Sequence, residues 1–258
     1  MNDRIAGGKY KLIHFLGRGA FAEVYLAVNT EGKHFACKIG QKGASLKREA
    51  DFQRTVFHPL FPAVADAGRE NGREWILMEY VRGENLEELI RKNGFFSPGE
   101  TAEIGKKLAE GLGYLHERRP SLLFRDIKPA NVMLGMDGGV KLVDFGCVCH
   151  AGENSGIAGT VGFGAPEQFE PGAGVGPAAD IYGLGKTLQA ISGGICEKHL
   201  CEVIRSCIRE SPGERLPDMR WAADLLALCG GEGRQGKFSG VQKAVLRREI
   251  QIKKNIWR

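Results

Sequence analysis

Phe124-Arg125-Asp126-Ile127-Lys128-Pro129-Ala130-Asn131 is followed, thirteen residues after Asn131, by Asp144-Phe145-Gly146. A carboxylate, an ammonium, an amide and a second carboxylate in this order are a set that phosphoryl transfer uses. One carboxylate takes the proton of an attacking hydroxyl, and the cation neutralises the moving phosphoryl group. The amide oxygen and the second carboxylate hold magnesium against phosphates. Val132-Met133-Leu134 reads as a short strand, Gly138-Gly139 as a turn, and Val140-Lys141-Leu142-Val143 as the returning strand. Such a hairpin brings Asn131 and Asp144 to neighbouring strand ends, within reach of one metal ion.

Upstream, Tyr10–Leu16, Glu23–Val28 and His34–Ile39 alternate apolar and polar residues as strands do, with turns at Gly17-Arg18-Gly19-Ala20-Phe21 and Thr30–Lys33. Glycines 17 and 19 would let backbone amides lie close to phosphates, although a plain hairpin explains a lone Gly-x-Gly equally well. Ser45 to Phe57 has helical spacing, and Trp75–Val81 is a buried-strand run ending at Arg82-Gly83. Ser97-Pro98-Gly99-Glu100 is a helix start, with Ser as N-cap, Pro in the first turn and Glu three residues on. Behind it Ile104, Leu108, Leu112 and Leu115 fall on one face. Further helices are expected from Asp180 to about Ser192, from about Glu197 to Arg209, and from Trp221 to Leu228.

Taken in this order, the motifs resemble the protein kinase family over about residues 9–229. The resemblance implies an α+β, two-lobed fold: a small β-rich N-lobe at about 9–81 and a mostly helical C-lobe at about 84–229. The connection after the Asp180 helix is too short for the docking helix the family usually carries there. Residues 230–258 read as a glycine-rich linker and basic tail. The implied activity is transfer of the ATP γ-phosphoryl group to serine or threonine, since Lys128 follows Asp126 by two. A pseudokinase scaffold and a small-molecule kinase of related fold are the alternatives. Asp126 and Lys128 are the implied catalytic residues, and Asn131 with Asp144 the implied Mg2+ ligands. An ATP site is implied at Leu16, Gly17, Arg18, Gly19, Ala20, Phe21, Ala22, Val24, Ala36, Lys38, Glu49, Met78, Glu79, Val81, Asn131, Met133 and Asp144. Glu49 is to pair with Lys38, Met78 to be the gatekeeper, Glu79–Val81 the hinge, and Glu84 or Asn85 a neighbour of the ribose. Thr160 is to order Asp126 and Lys128, Glu167 to pair with Arg215, Asp180 to support the catalytic loop, and Phe124 to replace the usual histidine beside Phe145. Ser155 is the implied phosphate acceptor for Arg125.

The bulk properties of these 258 residues, 43% apolar and 26% charged, are those of a globular protein with a sizeable core. No apolar run reaches the ~20 residues of a membrane span, and no signal peptide follows Met1. The expected location is therefore cytoplasmic, including the cytoplasmic part of a longer membrane protein. Seven scattered cysteines suggest free thiols in a reducing compartment, and Cys147-Val148-Cys149-His150 lacks zinc-site spacing. Net charge is +5, and residues 233–258 hold eight basic residues and one acid, so the rest is slightly acidic. Nucleic acid is not an expected partner; a protein substrate is. In the tail, Phe238, Val241, Val245, Ile252 and Ile256 lie near one helical stripe. That pattern suits an anionic membrane surface or a partner groove, and equally a passive end.

Overall fold

Alternating apolar residues in the first eighty positions build a six-stranded antiparallel sheet in the order β1-β2-β3-β4-β6-β5. Its strands are β1 (Arg4–Ile5), β2 (Tyr10–Arg18), β3 (Ala22–Asn29), β4 (His34–Gly40), β5 (Val64–Glu70) and β6 (Arg73–Glu79), with α1 (Lys47–Arg54) between β4 and β5. The computed structural model describes residues 4–5, 8–153, 156–172 and 174–229. The basic tail with its apolar stripe, and Ser155, lie outside the described residues. The sheet starts before residue 9, because Arg4 and Ile5 pair with Lys11 and Tyr10. Helix α1 is shorter than its pattern: Ser45 and Leu46 precede it, and Thr55 ends it with its hydroxyl on the Phe52 carbonyl.

The C-lobe contains β7 (Gly83–Asn85), α2 (Leu86–Asn93), α3 (Pro98–His116), β8 (Leu122–Leu123), β9 (Val132–Gly135), β10 (Val140–Leu142), β11 (Cys149–His150), α4 (Ala178–Ile191), α5 (Lys198–Cys207) and α6 (Met219–Cys229). The capping box at the start of α3 forms: the Ser97 hydroxyl accepts from the Glu100 N–H, and the Glu100 carboxylate accepts from the Ser97 N–H. The face carrying Ile104, Leu108, Leu112 and Leu115 is buried with Phe124, Leu184, Leu188 and Leu226 in the main core. Burying each such side chain contributes roughly 1.5–3 kcal/mol, which makes α3 the rigid floor under the catalytic loop. Residues 192–197 alone join α4 to α5, with no helix between them.

The free-thiol expectation is corrected here. Cys196 and Cys201 form a disulfide with Cα atoms 5.6 Å apart, because the short connector brings Cys196 against the first turn of α5. Cys37, Cys147, Cys149, Cys207 and Cys229 remain thiols.

Candidate active site

The catalytic loop hangs from one buried carboxylate. Asp180, fully buried in the first turn of α4, accepts the N–H groups of Phe124 at 2.8 Å and Arg125 at 2.7 Å, and its Oδ2 lies 2.8 Å from His116 Nε2. Arg125 sits at φ 66°, a left-handed conformation that a non-glycine residue adopts only when its surroundings impose it. Its guanidinium donates to the Cys147 and Gly156 carbonyls, and its own carbonyl accepts the Gln168 side-chain amide at 2.9 Å. A Cβ on Gly159 would lie 2.8 Å from Gln168 Nε2 and 3.0 Å from the Arg125 carbonyl, at φ 115°, so only glycine fits there.

These supports converge on Asp126. Its Oδ1 accepts the Thr160 hydroxyl at 2.7 Å, and that hydroxyl accepts Lys128 Nζ at 2.6 Å. Its Oδ2 meets Lys128 Nζ at 2.9 Å and Asn131 Nδ2 at 3.0 Å. Asn131 directs Nδ2 also to the Asp126 carbonyl, and its Oδ1 takes no hydrogen bond among the described residues. The Val143 N–H donates to the Asn131 carbonyl at 2.8 Å and, with the β9–β10 pairing, brings Asp144 beside Asn131. Asp144 has φ 75°, and Phe145 next to it packs edge-on against Phe124, 5.4 Å between ring centres, and against Phe61.

The small lobe delivers the cation. Lys38 Nζ lies 2.7 and 2.8 Å from the two Glu49 oxygens and 2.6 Å from Asp144 Oδ1. Burial alone would lower the Lys38 ammonium, but the Glu49 and Asp144 carboxylates outweigh it and hold the group protonated, above its usual range. Burial would raise the Asp144 carboxyl, and Lys38 reverses this and keeps it ionised below the usual range. Two carboxylates around one ammonium leave a net negative charge. Together with the unbonded Asn131 Oδ1 this is a hard oxygen donor set, and it fits Mg2+ held partly by phosphates.

The residues expected around ATP fall in three places. Leu16, Gly17, Arg18, Gly19, Ala20, Phe21, Ala22 and Val24 run along the β2–β3 turn, with Val24 opposite Lys38. A Cβ on Gly17 would meet nothing within 4 Å, and one on Gly19 only the Ala22 carbonyl at 3.8 Å. Packing therefore does not demand glycine at either position. Arg18 is engaged with Glu23, which also takes Arg73. Ala36 pairs with the buried Met78, and the Glu79 N–H is bonded to the Ala63 carbonyl while its carboxylate pairs with Lys141 at 2.7 Å. Met133 lies on β9 opposite Asn85. Asn85 caps α2 by accepting the Glu88 N–H at 2.8 Å, and Glu84 pairs with Lys92. Both residues expected near the ribose thus have partners of their own.

Farther out, the Arg215 guanidinium is enclosed, 2.5 and 2.8 Å from the Glu167 oxygens and over the Tyr182 ring. Gln168 and His116 were not expected in the support of the catalytic loop. Gln168 follows Pro166-Glu167 directly, so its place in the closing block was the available signal.

A family model described as protein kinase domain matches residues 10–216. A probable serine/threonine-protein kinase of Streptomyces coelicolor is 35% identical over 202 residues, which are 70% of this chain and 30% of that protein. The serine/threonine-protein kinase PknF of Mycobacterium tuberculosis is 34% identical over 238 residues, 81% of this chain and 49% of that protein. The crystal structure of a double mutant of the PknI kinase domain from Mycobacterium tuberculosis matches with a TM-score of 0.72 and 26% identity, covering 90% of this chain and 99% of that one. This chain spans less than half the length of these curated relatives. From its catalytic loop to its buried Glu167–Arg215 pair, and by sequence over most of its length, the chain belongs to the protein kinase family.

Proposed function

We propose that this chain transfers the γ-phosphoryl group of ATP to serine or threonine hydroxyls of proteins, in the cytoplasm. The observation that carries the reading is the Thr160 hydroxyl bridging Asp126 and Lys128. It aligns the proton acceptor and the cation while Asn131 and Asp144 stay beside them. Asp126 orients the incoming hydroxyl and accepts its proton. Lys128 steadies the phosphoryl group as it passes between oxygens. Lys38, fixed by Glu49, holds the α- and β-phosphates, and the Gly17–Ala22 turn covers them with backbone amides. Asn131 Oδ1 and Asp144 would hold magnesium, which would supply charge neutralisation at the phosphates. The serine/threonine assignment is supported by Lys128 and by the names of the relatives. Among the described residues no helix is long and apolar enough to cross a membrane.

Incubation with γ-labelled ATP, magnesium and a generic protein substrate tests the reading. Label in protein serine or threonine, at roughly 1–100 turnovers per second with a good substrate, is the expected result. Nucleotide binding with no label transferred would make the chain a scaffold.

A further inference from the structure

Glu49 is preceded on α1 by Arg48, whose guanidinium grips the two Glu153 oxygens at 2.6 and 2.7 Å. Glu153 belongs to the segment between Asp144 and Glu167, and its Oε2 also accepts the His150 N–H at 3.0 Å. The Arg48 guanidinium lies over the Phe52 ring, 5.3 Å from its centre, and that ring meets His150 edge-on at 5.2 Å. His150 in turn pairs across strands with Leu122, two residues before Phe124 and the catalytic loop. One continuous set of contacts therefore runs from the catalytic loop through His150 and Glu153 to Arg48, and from there to Glu49 and Lys38. A cation in the first turn of a helix opposes the helix dipole, so the dipole does not favour Arg48 there. Within the same segment the buried Arg125 guanidinium is already bonded to the Cys147 and Gly156 carbonyls.

We propose that Arg48 and Glu153 form a built-in latch in which a carboxylate of the chain itself orders α1, so that turnover requires no phosphate on the segment from Cys147 to Val161. This inference rests on the kinase reading above. Arg48 and Glu153 are positioning residues: they touch no reacting group and act through Glu49 and Lys38. Both bonds come from the single Nη2, which sits between the two carboxylate oxygens, so this charge-assisted contact sets how closely α1 approaches the segment. An exposed ion pair adds little to folding, so its effect belongs in turnover and not in melting.

The test compares wild type, Glu153→Gln, Arg48→Ala and the double variant. All four are phosphatase-treated, shown free of phosphate by mass spectrometry, and used in an initial-rate assay. Dephosphorylated wild type should match the untreated protein. Each single variant should lose roughly fivefold in kcat/KM for ATP, the scale of a modest population shift, with the melting temperature within about 2 °C of wild type. The double variant should be no worse than the worse single one, as expected of residues acting on each other. Wild type that is silent until the segment regains phosphate would overturn the latch. So would single variants equal to wild type, or losses that multiply in the double variant. Failure of the kinase reading looks different: no preparation transfers phosphate, and nucleotide affinity across the four proteins then reports on the pair by itself.

Discussion

Asp126 stands on a loop whose backbone is bonded to a fully buried carboxylate, Asp180, and whose apolar flank joins the main core. Glu49, which orients Lys38, stands on an eight-residue helix whose N-cap, Leu46, offers no side-chain bond. The cap comes instead from another strand: Glu74 on β6 accepts the N–H groups of Leu46 at 2.7 Å and Lys47 at 3.0 Å, and the Ser45 hydroxyl. Those bonds hold the Glu74 carboxyl below its usual range, the Leu46 N–H foremost. One half of the site is anchored in the main core; the other has only a small cluster, Leu46 and Ala50 with Ile76 and Met78, and takes its helix cap and its Arg48–Glu153 contact from more exposed polar groups. Damage to the first half should therefore appear in chemistry and folding, and damage to the second in activity with little change in folding.

The sharpest break is Asp126→Asn. The amide cannot take the hydroxyl proton, so transfer should fall about 10²–10⁴-fold, while nucleotide affinity, which comes from other residues, stays near wild type in a titration. Transfer at an undiminished rate would remove Asp126 from its role. Next is Asp180→Ala. It leaves the Phe124 and Arg125 N–H groups buried without an acceptor, at roughly 3 kcal/mol in total. Calorimetry should show a melting temperature lower by about 6–12 °C, together with lost activity. A variant that melts like wild type would mean the loop is held by its packing alone.

Glu74→Ala examines the other half. It should loosen the first turn of α1 at a cost of about 1 kcal/mol and lower kcat/KM for ATP severalfold, with a melting shift under about 3 °C. Equal losses of stability in Glu74→Ala and Asp180→Ala would abolish the contrast between the halves.

The same contrast explains what could be read before the structure. The catalytic loop, Asp144-Phe145-Gly146 and the capped start of α3 are carried by local sequence, while the Glu167–Arg215 pair, 48 positions apart, was legible only through the family resemblance. Helix α2 was missed although Asn85 with Leu86, Leu89 and Ile90 at helical spacing spells a cap and an apolar face, because both residues before it were assigned to the ribose. Strand β5 was missed because Val64–Glu70 contains no fully buried residue and is built of Ala, Asp and Gly, which strands disfavour. The Glu74 cap and the Arg48–Glu153 grip join residues 28 and 105 positions apart. The Cys196–Cys201 bridge depends on how closely a connector folds against α5. No periodicity records such contacts.

The smallest expected effect tests whether α3 is locally self-sufficient, as its sequence implies. Removing the N-cap hydroxyl in Ser97→Ala should cost roughly 0.5–1 kcal/mol near pH 7, with activity unchanged. The Ser97 hydroxyl and the Ser97 N–H hold the Glu100 carboxyl below its usual value of 4.5. A carboxyl depressed in the folded state contributes stability that is fully present above its unfolded pKa and is lost as pH falls through the folded one. The gap between wild type and Ser97→Ala should therefore be constant from pH 8 down to about pH 5, and then narrow on further acidification as Glu100 takes up a proton. Denaturant titrations of both proteins at pH 7 and at about pH 3.5 measure it. In a Glu100→Gln background, which removes the titrating carboxyl, the effect of Ser97→Ala should lose this pH dependence. A gap that widens on acidification, or that keeps its pH dependence in the glutamine background, would mean that the start of α3 is held by packing against the core and not by the box its sequence spells.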